Sequence, residues 1–229
     1  IPKSEFQERI ENIKKCMYNE NIDAMLVYGD EYRKENLRYV SNYWPIFERG
    51  ALLIPRDGEP TVLCAPEGEQ VAREMSVWKD VRLVPDFLCV TVPDEIDYPM
   101  AVYTSFRDLA KELRGKGRFE RLGIAGMSDM SAALLKNLSQ AFECELVDSA
   151  DILINLRKVK SENEIACLKE AARIAQTGFL AMMEADIIGK SERYAAGIAE
   201  GAARKAGAET ITFTVFGSGA RSAKIVGRA

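Results

Sequence analysis

Short apolar runs separated by stretches of helical period fill residues 1–150, and that alternation constrains the fold more than any single motif. Ala24-Met25-Leu26-Val27-Tyr28, closed by Gly29-Asp30, reads as a buried strand. Ala51-Leu52-Leu53-Ile54 and Thr61-Val62-Leu63-Cys64 flank Pro55-Arg56-Asp57-Gly58, a turn signal that predicts a β-hairpin. Val81–Val84, Leu122–Ala125 and Cys144–Val147 are further expected strands. A first helix, capped by Ser4, carries Phe6, Ile10, Ile13 and Met17 on one face. Helices are also expected over 31–40, 67–75 and 101–113, and from a cap at Ser128 or Asp129 through Leu138. Strands alternating with helices of this length predict an α/β fold, with a mixed sheet layered by helices.

The texture changes near residue 157. Arg157-Lys158-Val159-Lys160 reads as a charged connector, and Ser161-Glu162-Asn163-Glu164 is a capping-box pattern. Ile165, Leu168, Ala172, Ala175, Phe179 and Met182 then recur in steps of three and four, the apolar face of a long helix. Ser191 caps a second helix whose Ala195, Ile198, Ala199 and Ala202 form a face of small residues, and Gly207 sits at its C′ position. Residues 210–216, β-branched and aromatic, are expected to form a strand before Gly217-Ser218-Gly219. The domain boundary is placed at 157, giving domains 1–157 and 158–229.

Composition removes whole classes of function. The chain of 229 residues is 47% hydrophobic and 29% charged, enough to bury a core, and its net charge of −4 offers no basic excess for a nucleic-acid partner. It contains no histidine, which excludes Ser-His-Asp and Cys-His catalysis and imidazole-based zinc sites within these residues. The five cysteines are scattered without a C-x-x-C pair, as expected of reduced thiols in a cytoplasmic protein. No uncharged stretch approaches the roughly 18–20 apolar residues that span a bilayer, and Ile1–Glu5 is expected to open an amphipathic segment rather than a signal peptide.

Few constellations carry chemistry on their own. Asp94, Glu95 and Asp97 cluster three carboxylates of the kind that bind a hard cation, and the plainer reading is an acidic loop after Pro93. Gly217-Ser218-Gly219 can turn backbone N–H groups toward an anion or simply end a strand. Tyr39, Tyr43, Trp44 and Phe47 beside Arg49 suit a pocket for a carboxylate-bearing ligand, since a guanidinium between aromatic walls binds carboxylates well. The plainer reading of the same aromatics is a cluster packed beneath a loop.

Two stretches carry a family resemblance. Residues 21–27, followed by Asn36-Leu37-Arg38-Tyr39-Val40-Ser41 and Ala51–Ile54, resemble the N-terminal domain of the creatinase/prolidase/aminopeptidase P family. Leu156 through Ile165, continuing through Ala171–Ala175, Glu192, Ala206-Gly207-Ala208-Glu209 and Phe216-Gly217-Ser218-Gly219, resembles the start of that family's pita-bread catalytic domain.

The resemblance implies a metal-dependent hydrolase that cleaves C–N bonds in small peptides beside proline, working as a homodimer. It implies two divalent ions (Mn, Zn or Co) held by two Asp, one His and two Glu, all beyond the Gly217–Gly219 turn. The expectation is therefore a piece of a longer polypeptide, lacking the metal ligands and inactive alone. It also implies that residues 42–49 form a lid reaching a partner's active site, which makes Trp44, Phe47 and Arg49 candidate substrate contacts, with Ser218, Gly219 and Val226 at the turn. Peptidase members usually carry a histidine near the position held here by Val226, and valine neither donates a hydrogen bond nor carries a proton. That departure motivates two alternatives: a small-molecule amidohydrolase of the creatinase or ectoine-hydrolase kind, and a non-catalytic pita-bread binding module.

Overall fold

A computed structural model describes residues 1–88, 101–212 and 214–223. Cys89, the Asp94–Asp97 carboxylates, Phe213 and Val226 lie outside the described residues. The chain divides into two units, residues 1–159 and 160–229.

The first unit is built on a six-stranded mixed sheet: β1 (Ala24–Asp30), β2 (Arg49–Pro55), β3 (Thr61–Cys64), β4 (Val81–Leu83), β5 (Arg121–Ala125) and β6 (Glu145–Asp148), in the order β4-β3-β2-β1-β5-β6. The expected hairpin is present, with β2 antiparallel to β3 and to β1, where Ala24 pairs with Pro55 and Asp30 with Arg49. The pairs β1–β5, β3–β4 and β5–β6 are parallel. β1, β2 and β3 are buried along nearly their whole length, as strands covered on both faces must be. On one face, Met25, Val27, Leu52 and Ile54 pack with α1 (Lys3–Asn19), α2 (Glu35–Ser41), α3 (Glu69–Met75) and α6 (Ala150–Lys158). On the other, Leu26, Tyr28, Ala51 and Leu53 pack with α4 (Phe106–Gly115) and α5 (Ala132–Phe142).

Local hydrogen bonds shift several expected boundaries. Helix α1 is capped at Pro2 rather than Ser4, because Glu5 N–H donates to the extended Pro2 carbonyl at 3.1 Å. Helix α2 begins at Glu35, since the Asp30 carboxylate accepts from the N–H groups of Tyr32 (2.9 Å) and Arg33 (2.8 Å) and holds them in a turn. Thr104 N–H donates to Leu83 O at 2.8 Å and Tyr103 bridges Leu83, which holds these two residues against β4 and out of the helix. Ser105 and Asp108 then start α4 with a capping box. Met127–Asp129 is a single 3₁₀ turn, and Ser131, not Ser128 or Asp129, caps α5. The expected charged connector is helical through Lys158.

In the second unit, α7 (Glu162–Glu184) starts with the expected capping box. Ser161 Oγ accepts from Glu164 N–H at 3.1 Å, and Glu164 Oε2 accepts from Ser161 N–H at 2.9 Å. Helix α8 (Glu192–Lys205) is capped by Ser191 and followed by Gly207 at φ +107°. The two helices pack closely because Gly178 lies against Ala199 and Ala203. Leu168 and Phe179 on the apolar face of α7 remain 58% and 57% exposed.

Of the residues described within the strand expected over 210–216, Val215 makes an isolated bridge. No helix among the described residues is long and apolar enough to cross a membrane.

Candidate functional site

The segment between α2 and β2 concentrates the unusual chemistry of the first unit. Asn42, at φ +63°, ends α2 and anchors the segment through its side-chain amide, which donates to the Met75 carbonyl at 3.0 Å. Ser41 Oγ donates to Leu37 O at 2.6 Å and accepts from Tyr43 N–H at 3.1 Å. Trp78 braces the same turn, its indole N–H donating to Val40 O at 2.8 Å. Tyr43 is then fully buried, while Ile46 and Phe47 at the tip are 54% and 46% exposed.

Glu48 holds that tip. Its side chain is buried at 2% exposure, and a carboxylate is stable there only if it accepts hydrogen bonds. Oε1 accepts from the Tyr43 hydroxyl at 3.0 Å, and Oε2 accepts from the N–H groups of Ile46 (3.2 Å) and Phe47 (3.1 Å). Burial, reinforced by the Glu48 charge, pushes the Tyr43 phenol well above its ordinary range, so it remains a donor. Gly68 provides the space, because a Cβ there would lie 2.2 Å from Glu48 Oε1. Nothing in the residue types singled out Glu48. The available signal was a lone carboxylate between Pro45-Ile46-Phe47 and the apolar β2 strand.

The structure does not bring the three expected contacts into one pocket. Trp44 is half-buried, its ring covered by the Arg38 guanidinium at 3.8 Å, with Lys34 Nζ at 5.8 Å. Arg49 shares the face of β2 with Ala51 and Leu53, opposite the face on which α2 packs, and its Nη1 donates to Leu88 O at 3.5 Å. Phe47 alone of the three projects a largely open apolar side chain. Ser218 and Gly219 belong to the second unit. There Glu192 Oε1 accepts from Ser218 N–H at 2.7 Å and from Ser218 Oγ at 3.2 Å, and Oε2 pairs with Arg221. These bonds hold the Glu192 carboxyl below its ordinary range. The Ser218 N–H, a candidate anion donor in the sequence, is thus already engaged.

Beyond the tip, the carboxyl ends of β1 and β5 are bridged by Arg33 and Asp129 at 3.0 Å. At the opposite end of these strands a cavity of 660 Å³ is lined by Asp23, Arg56, Lys116, Arg118, Arg121 and Glu145, among others. Its charges largely answer one another: Arg56 pairs with Asp23 at 3.1 Å, Arg121 with Glu145 at 3.0 Å, and Arg118 with Glu120. Among the described residues no group of three or more His, Cys, Asp or Glu is arranged to hold a metal ion, so these residues do not fit a metal centre.

Comparison with known proteins places this architecture. Xaa-Pro dipeptidases of Pyrococcus furiosus and Pyrococcus horikoshii are 28% and 29% identical over 220 and 219 residues, covering 95% and 94% of the chain. The chain spans about half the length of these relatives, 54% and 53%. The crystal structure of the prolidase from P. horikoshii superposes with a TM-score of 0.73 at 25% identity, over 97% of this chain and 56% of that one. The X-Pro aminopeptidase from Thermotoga maritima shares the fold, with a TM-score of 0.72 at 24% identity over 96% of this chain and 56% of that one. Residues 9–159 match the Creatinase/Prolidase N-terminal domain family, and through that domain the chain belongs to the creatinase/prolidase family.

Proposed function

We propose that the full-length polypeptide is a metal-dependent hydrolase that cleaves the peptide bond beside proline in small peptides, as a cytoplasmic homodimer. The supporting observation is similarity to Xaa-Pro dipeptidases sustained across both units, over 95% of the chain. The metal ligands are assigned, on this reading, to the part of the polypeptide that corresponds to the half of the relatives this chain does not span. The contribution of the present residues is recognition. The Ile46–Phe47 tip offers an open apolar surface to a proline ring, and we assign it to the substrate cleft of a second copy. Trp44 supports the tip from behind, because its ring is already stacked by Arg38.

The test uses purified full-length protein, with Xaa-Pro dipeptides assayed with and without Mn²⁺, Zn²⁺ or Co²⁺ and after chelation. The expected result is proline-dipeptide hydrolysis that is lost on chelation and restored by one of these metals. Turnover of creatine or a ring amide in place of proline dipeptides overturns the peptidase reading in favour of an amidohydrolase. A protein that binds no metal and cleaves neither class of substrate is a binding module.

A further inference from the structure

We infer that Glu48 is a positioning residue, a buried carboxylate that sets the conformation in which the Ile46–Phe47 tip is presented. Three donors converge on it: the Tyr43 hydroxyl on one oxygen and the consecutive Ile46 and Phe47 N–H groups on the other. Two consecutive N–H groups bound by one carboxylate oxygen restrict the backbone on both sides of the tip, so the directions of both apolar side chains depend on that oxygen. The frame beneath is rigid. Tyr43 is fully buried, and a Cβ on Gly50 would lie 2.9 Å from its ring. A carboxylate suits this place better than a neutral acceptor, since hydrogen bonds to a charged acceptor are about twice as strong as neutral ones.

The position also depends on the residue facing it. Gly68 follows the expected backbone of its short 3₁₀ turn, with φ −96°, so alanine is permitted there by conformation. What alanine cannot do is share the space: its Cβ would stand 2.2 Å from Glu48 Oε1 and 2.8 Å from Cδ. The end of a flexible side chain yields more readily than the backbone, so Gly68→Ala displaces the Glu48 carboxylate without altering its chemistry. Glu48→Gln does the converse, keeping the volume while replacing one acceptor oxygen with an NH₂ group that faces the donors.

The inference about tip presentation stands on this geometry, while its consequence for substrate rests on the hydrolase reading above. Both variants are made in the full-length polypeptide, with Tyr43→Phe as a control that removes one donor and leaves both tip amides bound. Hydrogen exchange at the Ile46 and Phe47 amides is expected to accelerate about tenfold or more in Glu48→Gln and Gly68→Ala, and less in Tyr43→Phe. With an Xaa-Pro dipeptide, KM is expected to rise roughly three- to tenfold while kcat stays within about twofold, as for lost binding uniform to ground and transition states. Unchanged exchange at both amides in both variants overturns the inference, whatever the activity. Faster exchange with an unchanged KM overturns the role of the tip toward substrate. If the unsubstituted protein hydrolyses no proline dipeptide, the hydrolase reading fails, and the exchange comparison still decides the inference about Glu48.

Discussion

The guanidinium of Arg38 lies 3.8 Å from the centre of the Trp44 ring, joining the last turn of α2 to the segment that carries the exposed tip. Arg38 is well placed for this because it follows Lys34 by one helical turn, and both cations approach the same ring. An aromatic side chain that sequence reasoning assigns to a ligand pocket is here a wall shared with a helix. Phe47, three residues on, is not stacked in this way and faces outward together with Ile46.

Arg38→Lys keeps the charge and loses the planar stack, so it is expected to lower the stability of the first unit by about 0.5–1 kcal/mol. Both tryptophans, Trp44 and Trp78, lie in that unit, so intrinsic fluorescence during urea unfolding reports on it directly. A midpoint unchanged from that of the parent protein would show that the stack contributes nothing.

In the second unit, one kind of substitution is expected to act with opposite signs at two positions. Alanine at Gly178 places a Cβ 2.7 Å from the Ala199 carbonyl, a backbone atom that cannot move without shifting α8. The overpacking penalty of about 1–3 kcal/mol outweighs the gain in helix propensity of about 1 kcal/mol. Gly197 of α8 has nothing within 4 Å of an added Cβ, so Gly197→Ala keeps the propensity gain and stabilises the helix. Helical circular dichroism during thermal unfolding separates the two.

Removing the cap of α7 tests the most legible motif in the chain. Ser161→Ala deletes the acceptor that holds the Glu164 N–H at 3.1 Å, and a loss of about 1 kcal/mol in stability is expected. Hydrogen exchange confined to the first turn of α7 checks that the effect is local.

What the sequence made legible followed from regular periods and local chemistry. The strands announce themselves because burial on both faces demands uninterrupted apolar runs such as Ala24–Tyr28. The caps at Ser161 and Ser191 were legible because a capping bond spans only three residues. The errors came where a longer-range or competing bond decides the boundary. Thr104 is held to Leu83 and delays α4, and the Asp30 carboxylate occupies the residues that periodicity assigned to α2. Glu48 was hidden for a related reason. Its partner Tyr43 reads in the sequence as an aromatic wall, and the space that Gly68 leaves for its carboxylate appears only once β2 and β3 are paired. Of the aromatic patch, the residue types were legible but their division of labour was not, because stacking by Arg38 is a matter of side-chain direction.

Alkaline pH is expected to destabilise the first unit in a window set by buried acidic groups. Burial, followed by the negative charges of Glu69 and Glu48, pushes the Cys64 thiol from 9.0 up to about 12. Burial and then the charge of Asp30 push the Tyr28 phenol from 10.0 up to about 12. Between the unfolded and folded values, the unfolded chain has released a proton that the folded chain still binds. Stability therefore falls as pH rises, with the full contribution present below pH 9 and progressively lost toward pH 12. Each such group contributes a slope of about −1.4 kcal/mol per pH unit within its own window. Cys64→Ala removes one of two thiols whose protons burial holds, the other being Cys144, so its decline from pH 9 should be shallower than the parent's until the phenols of Tyr28 and Tyr43 begin to titrate in the unfolded chain near pH 10. Urea midpoints measured at half-unit steps from pH 8 to 11 for both proteins test this. Parallel decline of the two curves from pH 9 would mean that the Cys64 thiol does not set the onset.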